Sequence, residues 1–219
     1  MVLKKDELFK LIKKTEYIDV GLTVDYQIKV DDEKKRIYLI FQQSHGGLDW
    51  PNNLDVAVVP YKNGMKQFYV HRGFVRAWKS ANDIILGTLD AIRKQHEGYE
   101  LLIIGWSHGA ALAMLAAEDI NFRSRKELSN PLTGERPKVI TFGAPKFAFG
   151  KRTVEYFKDC IDPTSEEVCD RNDMVTIVQL PGYKHICKSS VGESFKLRKF
   201  FNPKFYHTSY DREGLYTNA

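Results

Sequence analysis

Two periods alternate along the chain. Residues 3–14 bring Leu3, Leu8, Leu11 and Ile12 toward one helical face among lysines, which predicts a helix packed on the flank of a domain. Val24, Tyr26, Ile28 and Val30 alternate with polar residues, as a half-buried strand requires, and the polar stretch 31–35 turns the chain into a second strand at 36–42. A further hairpin is expected where 55–59 and 66–70 flank Asn63-Gly64, with Pro60 and Lys62 blurring its register. From Phe74 the pattern turns helical: Trp78, Ile84, Ile85, Leu89 and Ile92 recur at helical spacing to about Gln95. The run 101–104 is wholly apolar, as in a central strand covered on both faces. Beyond it, 110–120 reads as helix, 138–142 as strand, 151–157 as helix and 175–180 as strand. This rhythm predicts an α/β fold with a mostly parallel central sheet, flanking helices and antiparallel N-terminal strands at its edge.

Composition narrows the picture. The 219 residues are 43% hydrophobic and 28% charged, with no repeat and no Gly/Ser/Pro-rich linker, so 1–219 is expected to form one domain. The longest apolar run, 110–117, is too short to cross a bilayer. Lys and Arg number 33 against 28 Asp and Glu, a net +5 spread along the chain. That balance permits weak attraction to an anionic surface without pointing to nucleic acid. Cys160, Cys169 and Cys187 lack zinc-ligand spacing and are read as free thiols, Cys160 and Cys169 being the two that could bridge a loop. No metal-ligand cluster stands out. The first residues mix lysines with Asp6 and Glu7, and neither an apolar core nor a cleavage site follows. The expectation is a cytoplasmic protein, with secretion of a mature form as the alternative.

Gly105-Trp106-Ser107-His108-Gly109 lies directly between the apolar run 101–104 and the Ala-rich segment from Ala110. A nucleophile on so sharp a strand-to-helix turn needs small neighbours, which Gly105 and Gly109 supply, while Ala110, Ala111 and Ala113 let the helix lie close to the sheet. Ser107 would then sit at a helix N-terminus, where unpaired amides favour developing negative charge. A serine hydroxyl needs a base, and the base an orienting acid. In this strand–turn–helix setting the order along the chain is Ser, Asp or Glu, then His. That order excludes His45, His71 and His96 as base and leaves His185 and His207; Asp170 and Asp173 both stand as candidate acids.

The chain resembles the class 3 lipase family, α/β-hydrolases that include fungal triacylglycerol lipases, feruloyl esterases and plant phospholipases A1. The resemblance runs from about Ile37 to Tyr210. Phe41-Gln42-Gln43-Ser44, followed by Asp49-Trp50 and Leu54, is similar to the family's oxyanion-loop and lid region. Val70-His71-Arg72-Gly73-Phe74, the Ser107 elbow and Thr141-Phe142-Gly143-Ala144-Pro145 match further family segments. Asn172-Asp173-Met174-Val175 resembles the segment with the acid, and His207-Thr208-Ser209-Tyr210 the segment with the base. The resemblance implies an α/β-hydrolase fold with Ser107 as nucleophile, Asp173 as acid and His207 as base. It implies an oxyanion hole built from Ser44 and the His108 amide, and places His185 outside the triad. Departures occur at Trp106 and His108, where the family usually has His and Leu, at Gln42-Gln43 in place of Arg-Gly, and at Thr176 in place of Pro. They surround the expected pocket and so bear on substrate class.

The implied activity is that of a serine carboxylic-ester hydrolase, a lipase or esterase working through an acyl-enzyme without a cofactor. Phospholipase A1 or acyltransferase action, and a non-catalytic lipid- or protein-binding scaffold, are the alternatives. Leu48, Trp50, Leu54 and Trp106 are the expected lid and substrate contacts, the first three read either as a lid that opens on a lipid surface or as an apolar loop packed beneath the domain. The partner expected is an acyl ester or lipid, with transient contact at a lipid interface, no nucleic acid and no integral membrane segment. Lysines interleaved with aromatics at 195–206 are read as solvated charges around core rings, with contact to an anionic membrane or to single-stranded nucleic acid as the alternatives. No pattern sets an oligomeric state.

Overall fold

The computed structural model describes residues 4–21, 24–42, 57–63, 66–127, 134–178, 181–193 and 203–216. The N-terminal helix α1 (Lys5–Lys14) precedes β1 (Ile18–Val20), β2 (Val24–Asp31) and β3 (Arg36–Phe41). Then come β4 (Val58–Asn63), β5 (Lys66–His71), α2 (Arg72–Gln95), β6 (Glu100–Trp106) and α3 (His108–Glu127). The remainder is β7 (Lys138–Phe142), β8 (Ala148–Phe149), α4 (Lys151–Cys160), β9 (Glu166–Asp170), α5 (Met174–Ile177), β10 (Tyr183–Lys184), β11 (Lys188–Val191) and α6 (Pro203–Thr208).

Seven strands form the main sheet in the order β1-β2-β3-β6-β7-β9-β11. Strands β3, β6, β7, β9 and β11 pair in parallel, and β1 and β2 add the antiparallel edge that alternation at 24–30 predicts. Both faces of β6 are covered, as its unbroken apolar run requires. Leu101 and Ile103 enter a core with Trp78 and Ile85 of α2 and Leu112 of α3. Leu102 and Ile104 point the other way, into a second core with Phe9 and Ile12 of α1, Phe142 and Tyr210. Residues 110–117 of α3 are buried on every side, the fate of a helix with no polar face. Among the described residues no helix is long and apolar enough to cross a membrane.

Two expectations are corrected. The second hairpin does not extend the edge of the main sheet; β4 and β5 head a separate four-stranded antiparallel sheet, β10-β8-β5-β4. Helix α2 begins directly after β5, so this hairpin stays with the helix layer, where Phe68 stacks on Tyr156 of α4 at 4.7 Å. Pro60 is tolerated because β4 is an edge strand. Second, where a strand is expected at 175–180, residues 174–177 form the short helix α5, because the Asp173 carboxylate accepts a 2.9 Å bond from the Val175 amide and caps it. No element is expected at 166–170, where β9 forms with Glu167 and Asp170 buried in it. Glu167 Oε2 accepts from the Ile186 and Cys187 amides at 2.6 and 2.9 Å, and Asp170 pairs with Arg212. All three cysteines are free thiols.

The glycines of the elbow are there for space. A Cβ on Gly105 would stand 2.4 Å from the Gly109 carbonyl oxygen, and one on Gly109 would stand 2.6 Å from the Gln42 carbonyl oxygen. Both obstacles are backbone. Gly105→Ala is therefore expected to destabilise the fold by roughly 3 kcal/mol or more, seen as a lower urea midpoint.

Glu118 of α3 is fully buried, accepting bonds from Asn63 Nδ2 at 2.6 Å and the Tyr156 hydroxyl at 2.5 Å. Burial pushes its carboxyl up to about 7; the Tyr156 hydroxyl opposes the rise and the Asp119 carboxylate adds to it. The folded state thus binds this proton more tightly than the unfolded chain. The corresponding stability is fully present below the ordinary carboxylate range and is lost as pH rises through about 7. Urea unfolding at pH 5 and pH 8 should show wild type losing on the order of 2–3 kcal/mol more than Glu118→Gln across that interval.

Candidate active site

Ser107 is the junction between β6 and α3. Its φ of +57° is the left-handed conformation that a non-glycine residue seldom adopts, and Lys35 is the other described non-glycine residue to do so. Two backbone bonds hold the turn: the Ser107 amide donates to the Phe142 carbonyl, and the Ala110 amide to the Ser107 carbonyl, both at 3.0 Å. The side chain is left at the C-terminal end of a central parallel strand, where ligands meet open α/β sheets.

His207 lies in α6, and its Nδ1 is 2.9 Å from Asp173 Oδ2. Asp173 is fully buried, and both of its oxygens are engaged. Oδ1 accepts from the Val175 amide, and Oδ2 also accepts from the Tyr210 hydroxyl at 2.7 Å. Tyr210 receives the Asp170 amide at 3.0 Å, so its hydroxyl relays between two acidic residues. Burial, with the Asp173 charge beside it, raises the Tyr210 phenol well above its ordinary range and keeps it a neutral donor. Gly143 makes room for the pair: it has a φ of +58°, and a Cβ there would meet Asp173 Oδ2 and the His207 ring at 2.9 Å.

The alternatives left open by chain order separate cleanly. His185 turns Nε2 to the Thr176 carbonyl at 3.2 Å and lies 4.0 Å from Cys169 Sγ, with Nδ1 3.8 Å from Glu167. That Cys–His–Glu succession mimics a nucleophile with its base, but burial, and next the Glu167 charge, push the Cys169 thiol up and leave it inert. Asp170 is engaged by Arg212 and the Asn172 amide. The His108 ring packs edge-on against Phe74 at 5.2 Å. Burial, with His71 nearby, lowers its pKa to about 4, so it stays neutral while its amide heads α3. Trp106, expected beside the substrate, is half-buried and donates its indole Nε1 to the His207 carbonyl at 3.0 Å. Ser44, Leu48, Trp50 and Leu54 lie outside the described residues.

Sequence reasoning did not single out Tyr210 or Gly143 for a role. The three-residue spacing from His207 to Tyr210 carries a signal: one turn directs the imidazole and the phenol to the same carboxylate.

A central parallel strand ending in a strained serine, with a His–Asp pair beside the turn, is the architecture of an α/β-hydrolase. The sequence pattern of the lipase (class 3) family matches residues 38–182, and the chain belongs to that family. It is 28% identical over 167 residues to the secreted mono- and diacylglycerol lipase 2 of Gibberella zeae, covering 73% of this chain and 37% of that protein. Lip2 lipase from Yarrowia lipolytica superposes with a TM-score of 0.68 at 19% identity, over 90% of this chain and 80% of that one. A triacylglycerol lipase whose catalytic centre is described as a serine protease triad gives 0.66 at 22%, over 80% and 64%. The chain spans about a third of the length of the curated relatives it matches. The cytoplasmic expectation is overturned by relatives named as secreted lipases; the residues at Met1 could not decide location.

Proposed function

We propose that this chain is a serine ester hydrolase of acylglycerol-type lipids, acting outside the cell, with residues 1–219 working as one catalytic domain. Ser107 is the nucleophile, His207 the base and Asp173 the orienting acid. The observation that carries this reading is the 2.9 Å contact of His207 with buried Asp173 beside a serine held at φ +57°. With Nδ1–H bonded to Asp173, the imidazole presents Nε2 as acceptor. Nε2 takes the Ser107 proton as Oγ attacks the ester carbonyl. The His108 amide and Ser44 receive the negative charge on the carbonyl oxygen. Collapse of the tetrahedral adduct breaks the ester C–O bond, and His207 returns its proton to the departing alcohol. Water then attacks the acyl-enzyme by the same route, releasing the fatty acid and Ser107.

A lipid substrate is supported by exposed apolar side chains beside this pair: Val178, 52% exposed, follows α5, and Phe205, 44% exposed, lies two residues before His207. Transient docking on a lipid interface accords with them. The test is fluorophosphonate labelling together with hydrolysis of p-nitrophenyl esters from acetate to palmitate. Labelling at Ser107 and turnover rising toward long chains are expected. A folded protein that neither labels nor turns over any ester would return the chain to the binding-scaffold reading.

A further inference from the structure

The base of the proposed mechanism is held by its ring to Asp173, and the structure shows a second hold on its main chain. Helix α6 has six residues, too few to be stable unaided. His207 lies in its last turn, where carbonyls have no partner within the helix. Among the described residues, the donor that the His207 carbonyl finds is the indole Nε1–H of Trp106, at 3.0 Å. The two rings also face one another, with centroids 5.8 Å apart and planes inclined by 39°. Trp106 immediately precedes Ser107, so one side chain ties the strand bearing the nucleophile to the helix bearing the base. The indole is itself fixed from behind, since Phe9 of α1 meets it edge-on at 5.4 Å. Phe9 also packs on Phe142 at 5.2 Å and Tyr210 at 5.5 Å. These are, in turn, the residue whose carbonyl bonds the Ser107 amide and the residue that bonds Asp173.

We infer that Trp106 is a positioning residue for the base: its indole N–H sets the height of His207 relative to Ser107, and substrate contact is not its main role. This rests on the reading of Ser107, Asp173 and His207 given above. The bond holds His207 in both ground and transition states, so losing it lets the imidazole wander without altering the substrate's binding surface. The effect therefore falls on kcat and spares KM.

Two variants test this in the full chain. Trp106→Phe keeps an aromatic ring against Phe9 and removes the donor. Benzothienylalanine placed at position 106 keeps the bicyclic shape and replaces N–H by sulfur, which covers the case in which the smaller ring unfolds the protein. With a p-nitrophenyl ester, each is expected to lower kcat about tenfold, the scale of one lost hydrogen bond, with KM within about twofold and a thermal midpoint lowered by no more than about 4 °C for the sulfur analogue. Fluorophosphonate labelling should slow by the same factor. Unchanged kcat in the sulfur analogue would overturn the assignment. A raised KM at constant kcat would make Trp106 a substrate contact instead. A folded wild type that fluorophosphonate does not label would remove the nucleophile reading, and this inference with it. Normal wild-type labelling beside an unaffected analogue would remove the inference alone.

Discussion

Ser107→Ala is expected to abolish ester hydrolysis, lowering kcat about 10⁶-fold, the scale on which serine hydrolases lose activity when the nucleophile goes. The attacking oxygen leaves the β6–α3 turn in a direction set by a backbone held at φ +57°, and alanine offers no oxygen there. The substitution should leave the fold intact. Alanine meets the same left-handed penalty as serine, and the two backbone bonds that hold the turn involve no side-chain atom. Thermal unfolding within a degree or two of wild type, complete loss of fluorophosphonate labelling and loss of p-nitrophenyl ester turnover form the expected triple outcome. A variant that folds and still turns over ester at more than a thousandth of the wild-type rate would require a different nucleophile.

Asp173→Asn should cost about 10³–10⁴ in kcat with little change in KM. The carboxylate faces donors alone: Val175 N–H on Oδ1, and His207 Nδ1 with Tyr210 O–H on Oδ2. An amide has one acceptor oxygen. If that oxygen keeps the Val175 amide, its NH₂ points at His207, forces the proton to Nε2, and leaves the imidazole unable to accept from Ser107. If the amide flips, α5 loses its cap. Steady-state kinetics beside a thermal melt distinguish these outcomes: a large fall in kcat with a small change in midpoint marks the tautomer effect. Retention of more than a tenth of the activity would show that His207 does not depend on this acid.

How far the sequence reached can be followed at particular residues. The elbow was legible because its requirements are local. An apolar strand buried on both faces, two glycines standing where any Cβ would strike backbone, and alanines on the following helix all lie within thirteen residues. The hairpin at 24–41 was legible for a similar reason, since alternation fixes which side chains face inward. Strand β9 was not. Glu166, Glu167 and Asp170 carry no sign in the sequence that amides and Arg212 will match the two that are buried. Helix α5 was missed because the β-branched run suggests a strand, and the capping carboxylate just before it outweighed that propensity.

At the site, the sequence by itself singled out Ser107 as the proposed nucleophile and the order in which an acid and a base would follow, because strained turn geometry and covalent chemistry both act on neighbouring residues. The resemblance to a family then selected Asp173 and His207 from two candidates each. Tertiary structure alone decided which partners met. Asp173 and His207 stand 34 residues apart in the chain, and their contact depends on α6 docking against the end of the sheet. The same docking brings the Trp106 indole to the His207 main chain and Tyr210 to the acid, roles that hang on distances between elements. Local sequence fixes a turn through sterics within a few bonds, whereas a bond between distant loops exists only after the hydrophobic cores on both faces of β6 have set where those loops lie.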